Sequence, residues 1–492
     1  MFEKTTPEKA GISSQNVYKF IKTLEKRGLA MHSVLMMRGD KIFAEYYWHP
    51  FNKDFCHRMY SQTKSFVGVA IGLLEQEGKL SLSNKISEYF PEKIDRTLPE
   101  NLKNLTIENM LTMQTCGETP NWFYHSDPDR THLYFAENSA DVIPGTRWKY
   151  DSPASQVLSC LAEKLSGMSL FDYLKLKIFD KLGTFKTATI LKTKTDDSFG
   201  DSALLCTTRD MASFARFVMN YGKWGNEQIL NENYLKKATS KLTDNYSCGF
   251  NNDSSVFTDG YGYQIWRYKN DGFAFNGMGS QLTVCLPNKD FIFTCTADTQ
   301  GNTAAKSLIL NALDDIIIEN LGEPLEENES DYKKCINLEN SLELFCLKGN
   351  THSKSEDGIF GKKYIAQQNS TGITEFYFEK ENGNLNFCYK NAQGEKKLIF
   401  GFGQNVFTKF PQFNYSNLHA GSKTQDGFLY NCATSAIWVT DNKLLLKVQI
   451  IDKYFGNALW EFSFKENKVT VVMIKNAEAF LDEYQGEFTA TL

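Results

Sequence analysis

The sequence predicts an α+β domain followed by an antiparallel β-barrel, and three observations carry that prediction. Through residue 322, amphipathic helical patterns alternate with short runs rich in β-branched and aromatic residues. Residues 323–339 open with EPLEENESDYKK, an acidic stretch that reads as a linker. From 340 to 492 the pattern becomes roughly eight short alternating runs separated by Gly, Asn and Asp, the spacing of a closed antiparallel barrel. A chain of 492 residues also exceeds what one ordinary core supports, so 1–322 and 340–492 are taken as separate domains.

Taken in order, residues 13–28 place Val17, Phe20, Ile21 and Leu24 on one helical face. Two strands, 33–37 and 41–47, then flank Arg38-Gly39-Asp40, a hairpin turn in which Gly39 can adopt a positive φ. Thr106 and Thr207 or Thr208 stand where helix N-caps belong. Between them, residues 116–144 form a long polar segment carrying Trp122, Phe123, Tyr124, Tyr134 and Phe135, either a pocket lining or a surface loop pinned by its own aromatics. Residues 240–261 read as loop. Residues 261–298 read as an antiparallel set whose middle strand, from Phe273 to Cys285, contains Gly277-Met278-Gly279. Glycines inside a strand mark a bulge or the close approach of another backbone or ligand. A helix over 303–321 closes the domain.

The chemistry concentrates in MYSQTKSFVGVAIGLLEQEGKL, residues 59–80. Ser61 and Lys64 are three apart, so a helix starting at or just before Ser61 puts them on one face, one turn apart. The residues that follow are apolar almost all round, which marks a buried helix. An amine held there loses solvation, which favours its neutral form as a base for the serine. The spacing alone is weak, because about three S-x-x-K matches are expected by chance in a chain of this composition. The other copy, Ser330 to Lys333, lies in the acidic stretch and reads as solvated. A serine–lysine pair also needs a second proton carrier for the leaving group, and Tyr150, at a loop-to-helix junction, is the candidate.

The Ser61 to Lys64 run, TIENMLTMQTCG and GTRWKYDSPASQVLSCLAEKLSG together resemble the class C β-lactamase and penicillin-binding-protein-like family of serine hydrolases over about residues 1–320. The resemblance implies a β-lactamase/transpeptidase-like α/β sandwich, an antiparallel sheet with an all-α subdomain. It implies Ser61 as nucleophile, Lys64 as its partner and Tyr150 as proton shuttle. It also implies an oxyanion hole from the Ser61 N–H and an N–H of the Gly277–Gly279 segment, worth about 3–4 kcal/mol per donor. Two positions depart from the family pattern. Ser152 replaces the asparagine of Tyr-x-Asn, and Gly277-Met278-Gly279 stands where Lys or His, a small residue and Gly are usual. The missing cation disfavours substrates held by a carboxylate and favours neutral esters or amides. Tyr415-Ser416-Asn417 and His419-Ala420-Gly421 match the family motifs better as text, but they fall in a loop-like part of the C-terminal region. That region is similar to lipocalin-like β domains appended to several family members.

Composition narrows the rest. A net charge of -5 without a basic block argues against a nucleic-acid partner. No stretch of about 18 apolar residues and no signal-peptide core are seen, so no membrane partner and a cytoplasmic location are expected. Eleven scattered cysteines without C-x-x-C suit free thiols, and seven histidines show no metal-ligand spacing. The expected function is thus a serine hydrolase acting on a small ester, amide or peptide without metal or cofactor. A β-lactamase or D-amino-acid-specific peptidase remains open, as does a non-catalytic pseudoenzyme binding a small ligand through the barrel; the sequence leaves the oligomeric state open as well.

Overall fold

A computed structural model describes residues 2–245, 257–413, 427–477 and 481–492. Tyr415–Asn417 and His419–Gly421 lie outside the described residues, as do residues 246–256 of the 240–261 loop. The chain divides into two compact units, Met1–Glu343 and Leu344–Leu492.

The first unit is built on a seven-stranded sheet. Its strands are β1 (Glu3–Lys4), β2 (Met31–Arg38), β3 (Lys41–Tyr47), β4 (Trp266–Tyr268), β5 (Gly272–Gly277), β6 (Gln281–Leu286) and β7 (Phe291–Ala297), in the order β1-β3-β2-β7-β6-β5-β4. All pairings are antiparallel except β1 with β3. Alternation along the strands sends Val34, Met36, Val284 and Phe293 to one core and Leu35, Met37, Phe275 and Ile292 to another. Helix α1 (Ser14–Lys26), capped by the Ser13 side chain, and the closing helix α5 (Ala305–Ala312) pack in the first core. Helices α2 (Thr63–Gln76), α3 (Ser152–Ser166) and α4 (Thr208–Met219) pack in the second. This is an α/β sandwich with a helical subdomain.

Two features differ from the sequence reading. The run from Phe273 to Cys285 is a hairpin rather than one strand: Met278 to Ser280 turn the chain, with φ of 72° at Gly279 and 67° at Ser280. The acidic stretch carries a helix, Glu329–Glu339, whose Cys335 and Leu338 are buried in the first unit's core. Its other side is charged, which is why the composition alone reads as linker.

The second unit is a closed barrel. Nine strands run in the ring from Gly394–Phe402 through Asn384–Asn391, Glu375–Glu381, Tyr364–Ala366, Gly486–Thr491, Lys468–Asn476, Phe455–Lys465 and Lys443–Ile451 to Asn431–Thr440. Pairing of Gly401 with Ser435 and Phe402 with Ala436 closes it. The side chains of Phe376, Phe378, Phe387, Tyr389, Trp460, Phe462 and Tyr484 contact one another at ring separations of 4.9–6.2 Å and are all buried. They form the barrel's packed aromatic core.

Candidate active site

Ser61 sits in a 3₁₀ turn, Tyr60–Gln62, that runs directly into α2. Tyr60 holds a left-handed φ of 46°, an uncommon conformation for a non-glycine residue and one often found at functional turns. Three distant segments fix the turn. Met59 N–H donates to the Leu204 carbonyl (2.8 Å), and the Leu204 N–H donates to Thr63 Oγ1 (3.1 Å). Thr283 Oγ1, on β6, donates to Gln62 Oε1 (2.8 Å). Gly277, at the end of β5, lies so close to the Met59 carbonyl that a β-carbon there would stand 2.4 Å from its oxygen.

One helical turn on, Lys64 is buried while Ser61 stays half-exposed. The Lys64 amine donates to Ser61 Oγ (3.0 Å) and to the backbone carbonyl of Asp201 (2.7 Å). It also lies 5.1 Å from the centre of the Tyr150 ring, so the amine faces the aromatic ring. Tyr150 in turn stacks on Trp266 of β4, at 5.6 Å between ring centres and 20° between planes. The structure therefore brings Tyr150 beside the Ser61–Lys64 turn from a part of the sequence 86 residues beyond Lys64.

The other expected residues occupy supporting places. Ser152 is the first residue of α3, which Asp151 caps through a bond from the Ala154 N–H (2.9 Å). Gly277 abuts the serine turn. Met278 and Gly279 form the β5–β6 hairpin turn, where the Met278 carbonyl accepts from the Gln281 side chain (2.8 Å).

Sequence reasoning missed Asp201, Arg130 and Arg58, none of which sits in a motif. Asp201 Oδ2 is 3.9 Å from the Lys64 amine, and Asp201 Oδ1 is 3.8 Å from Arg130. All three side chains are buried. The Arg130 guanidinium lies between Trp122 (4.3 Å) and Phe199 (4.0 Å), and Arg58 lies over Tyr60 (4.8 Å) and the same Phe199 ring (5.3 Å). Part of the aromatic 116–144 segment thus holds an arginine beside the site. Burial pushes the Asp201 carboxyl above its ordinary range, while Lys64, Arg130 and Arg58 pull it back down. The Asp151 carboxyl is likewise raised by burial and opposed by its bonds to Ala154 N and Thr115 Oγ1.

The Beta-lactamase family model matches residues 19–314. The chain belongs to the β-lactamase family. Within that family it is 24% identical over 265 residues to the 6-aminohexanoate-dimer hydrolase of Paenarthrobacter ureafaciens, a match covering 50% of this chain and 66% of that enzyme, just under two thirds of its length. Among solved structures it resembles a candidate β-lactamase from Bacteroides dorei DSM 17855 (TM-score 0.53, 15% identity, 62% of this chain and 99% of that one). It also resembles a candidate 6-aminohexanoate-dimer hydrolase from Bacillus anthracis (TM-score 0.52, 18% identity, 66% and 89%). At these identities the likeness is one of fold. Among the described residues no helix is long and apolar enough to cross a membrane.

Proposed function

We propose that this β-lactamase-family chain is a serine hydrolase that forms a covalent acyl-enzyme at Ser61 on small carboxylic esters or amides. The observation that carries the proposal is the 3.0 Å bond from the Lys64 amine to Ser61 Oγ in a site where the serine is reachable and the amine is not. In the reaction, Ser61 Oγ attacks the acyl carbon as its proton passes to the Lys64–Tyr150 pair. The same pair returns a proton to the leaving alkoxide or amine. Water then repeats the sequence on the acyl-enzyme. Donors for the developing oxyanion come from the Ser61 N–H and the Gly277–Gly279 segment. Which of Lys64 and Tyr150 is formally the base is a property of the coupled pair.

Neutral substrates are favoured because the hairpin position opposite the serine turn carries Gly277-Met278-Gly279 and no cation, and because Ser152 offers a hydroxyl in place of an amide. Both features weigh against β-lactams and D-peptides with a free carboxylate. The relative named for hydrolysing a 6-aminohexanoate dimer supports the amide or ester reading. Against a role as a ligand-binding pseudoenzyme stands the barrel's packed aromatic core. The ten free cysteines among the described residues support a reducing, cytoplasmic setting.

Intact-mass spectrometry after exposure to a fluorophosphonate or an activated ester tests the proposal. One adduct per chain, absent in Ser61→Ala, is expected, and no adduct on the parent protein would sink it. A panel of aryl esters, amides, D-peptides and a chromogenic β-lactam then ranks the substrate classes.

A further inference from the structure

Two buried carboxylates lie near the Lys64 amine, and their surroundings differ. Asp151 is occupied locally: Oδ1 accepts from the Ala154 N–H (2.9 Å) and Oδ2 from Thr115 Oγ1 (2.7 Å). Asp201 Oδ1, by contrast, has no hydrogen-bond partner among the described residues, and Oδ2 faces the Lys64 amine at 3.9 Å. The backbone carbonyl of the same residue accepts from that amine. Arg130, 3.8 Å away and held between Trp122 and Phe199, is the nearest opposing charge on the far side of Asp201. Among the described residues, Tyr150, whose ring face the amine contacts, and Arg58, which acts on Asp201, are further titratable or charged groups in this cluster.

We infer that Asp201 is a positioning residue that aims the Lys64 amine at Ser61 through its carbonyl and sets that amine's proton affinity through its carboxylate, with Arg130 limiting the effect from the opposite side. The inference rests on the reading of Ser61 and Lys64 given above. Physically, an ionised carboxylate about 4 Å from an amine favours its charged form. A guanidinium that shares the carboxylate draws part of that field away. The aromatic 116–144 segment therefore contributes to the site's charge balance through Arg130.

The two roles predict opposite signs. In protein labelled with [13Cε]lysine, the Lys64 resonance, assigned by its loss in Lys64→Met, is titrated in wild type, Asp201→Asn and Arg130→Met. Asp201→Asn keeps the backbone carbonyl and removes the charge 3.9 Å from the amine, so the Lys64 midpoint falls. Arg130→Met leaves Asp201 uncompensated, so the midpoint rises. The acid limb of the fluorophosphonate labelling rate moves with each. Midpoints unchanged in both variants, or displaced in the same direction, overturn the inference. Should Asp201→Asn fail to fold, the upward displacement in Arg130→Met alone decides. If the midpoints move as stated while wild type takes no adduct, the acyl-enzyme reading falls and the assignment of Lys64's charge partners stands.

Discussion

Replacing Gly277 by alanine places one methyl group against the segment that carries Ser61. The new β-carbon would stand 2.4 Å from the Met59 carbonyl oxygen and 2.9 Å from Gln281 Cβ, whereas ordinary contact begins at 3.4 Å. About 1 Å must therefore open between β5 and the serine turn. Gln281 yields little, because its side chain donates to the Met278 and Ala297 carbonyls (2.8 and 2.7 Å) and accepts from the Ala297 N–H (3.1 Å). The displacement falls on Met59, two residues before Ser61. Overpacking of this kind costs about 1–3 kcal/mol of stability, and a 1 Å misplacement of a reacting group costs about 100-fold in rate. The assay is the second-order labelling rate of Ser61 with an activated ester, beside the urea midpoint. Gly78→Ala is the control: its φ of 68° strains a side chain, but nothing lies within 4 Å of the added carbon. It loses about 1–2 kcal/mol with an unchanged labelling rate. Gly277→Ala protein that labels at the parental rate would refute the contact argument.

Other perturbations follow from the same geometry. Thr283→Val keeps the volume but strips the donor from the buried Gln62 amide oxygen, and urea unfolding registers a loss of about 1–3 kcal/mol. His57 is wholly buried, donates from Nδ1 to the Arg58 carbonyl (2.9 Å) and meets His32 at 2.8 Å; burial lowers its pKa from the ordinary 6.5 to about 3. The unfolded chain therefore binds a proton that the native state refuses. Stability is full above pH 6.5 and declines as pH falls toward 3, by about 2 kcal/mol at pH 5 for this group. His57→Gln flattens that part of the stability curve measured by urea titration between pH 7 and 5. In the barrel, Tyr484→Phe removes the hydroxyl shared with Tyr389 (2.8 Å) and Gln412 (3.2 Å), lowering the barrel's unfolding midpoint by an amount equivalent to about 1–3 kcal/mol.

Elements with strong local signals were readable from the sequence. The helix over 13–28, the Gly39 hairpin and the Thr106 N-cap stand where their residues put them, and of Thr207 and Thr208 it is Thr207 that caps its helix. The three-residue spacing of Ser61 and Lys64 also sufficed, since one turn brings them to 3.0 Å whether it is α or 3₁₀. The β5–β6 hairpin was not readable, because Ser280 takes a positive φ that nothing in its chemistry announces. Two short strands escaped for a related reason. Gly486–Thr491 is needed to complete the nine-stranded ring and Val406–Lys409 lies beside it, yet each has too few alternating positions to stand out. Asp201 was invisible because its meaning depends on Lys64, 137 positions away in the chain. Local pattern holds no trace of such a pairing.

The bonds that seat the serine turn span 141 residues to Leu204 and 221 to Thr283. A nucleophile held this way has no local precursor: a fragment ending before residue 204 can build helix α2 but cannot aim Ser61. Loop-closure entropy makes contacts of that span the late ones in folding. Ser61 reactivity should consequently appear only as the first unit reaches its native arrangement, which would make a serine-directed probe a marker of completed assembly as well as of chemistry.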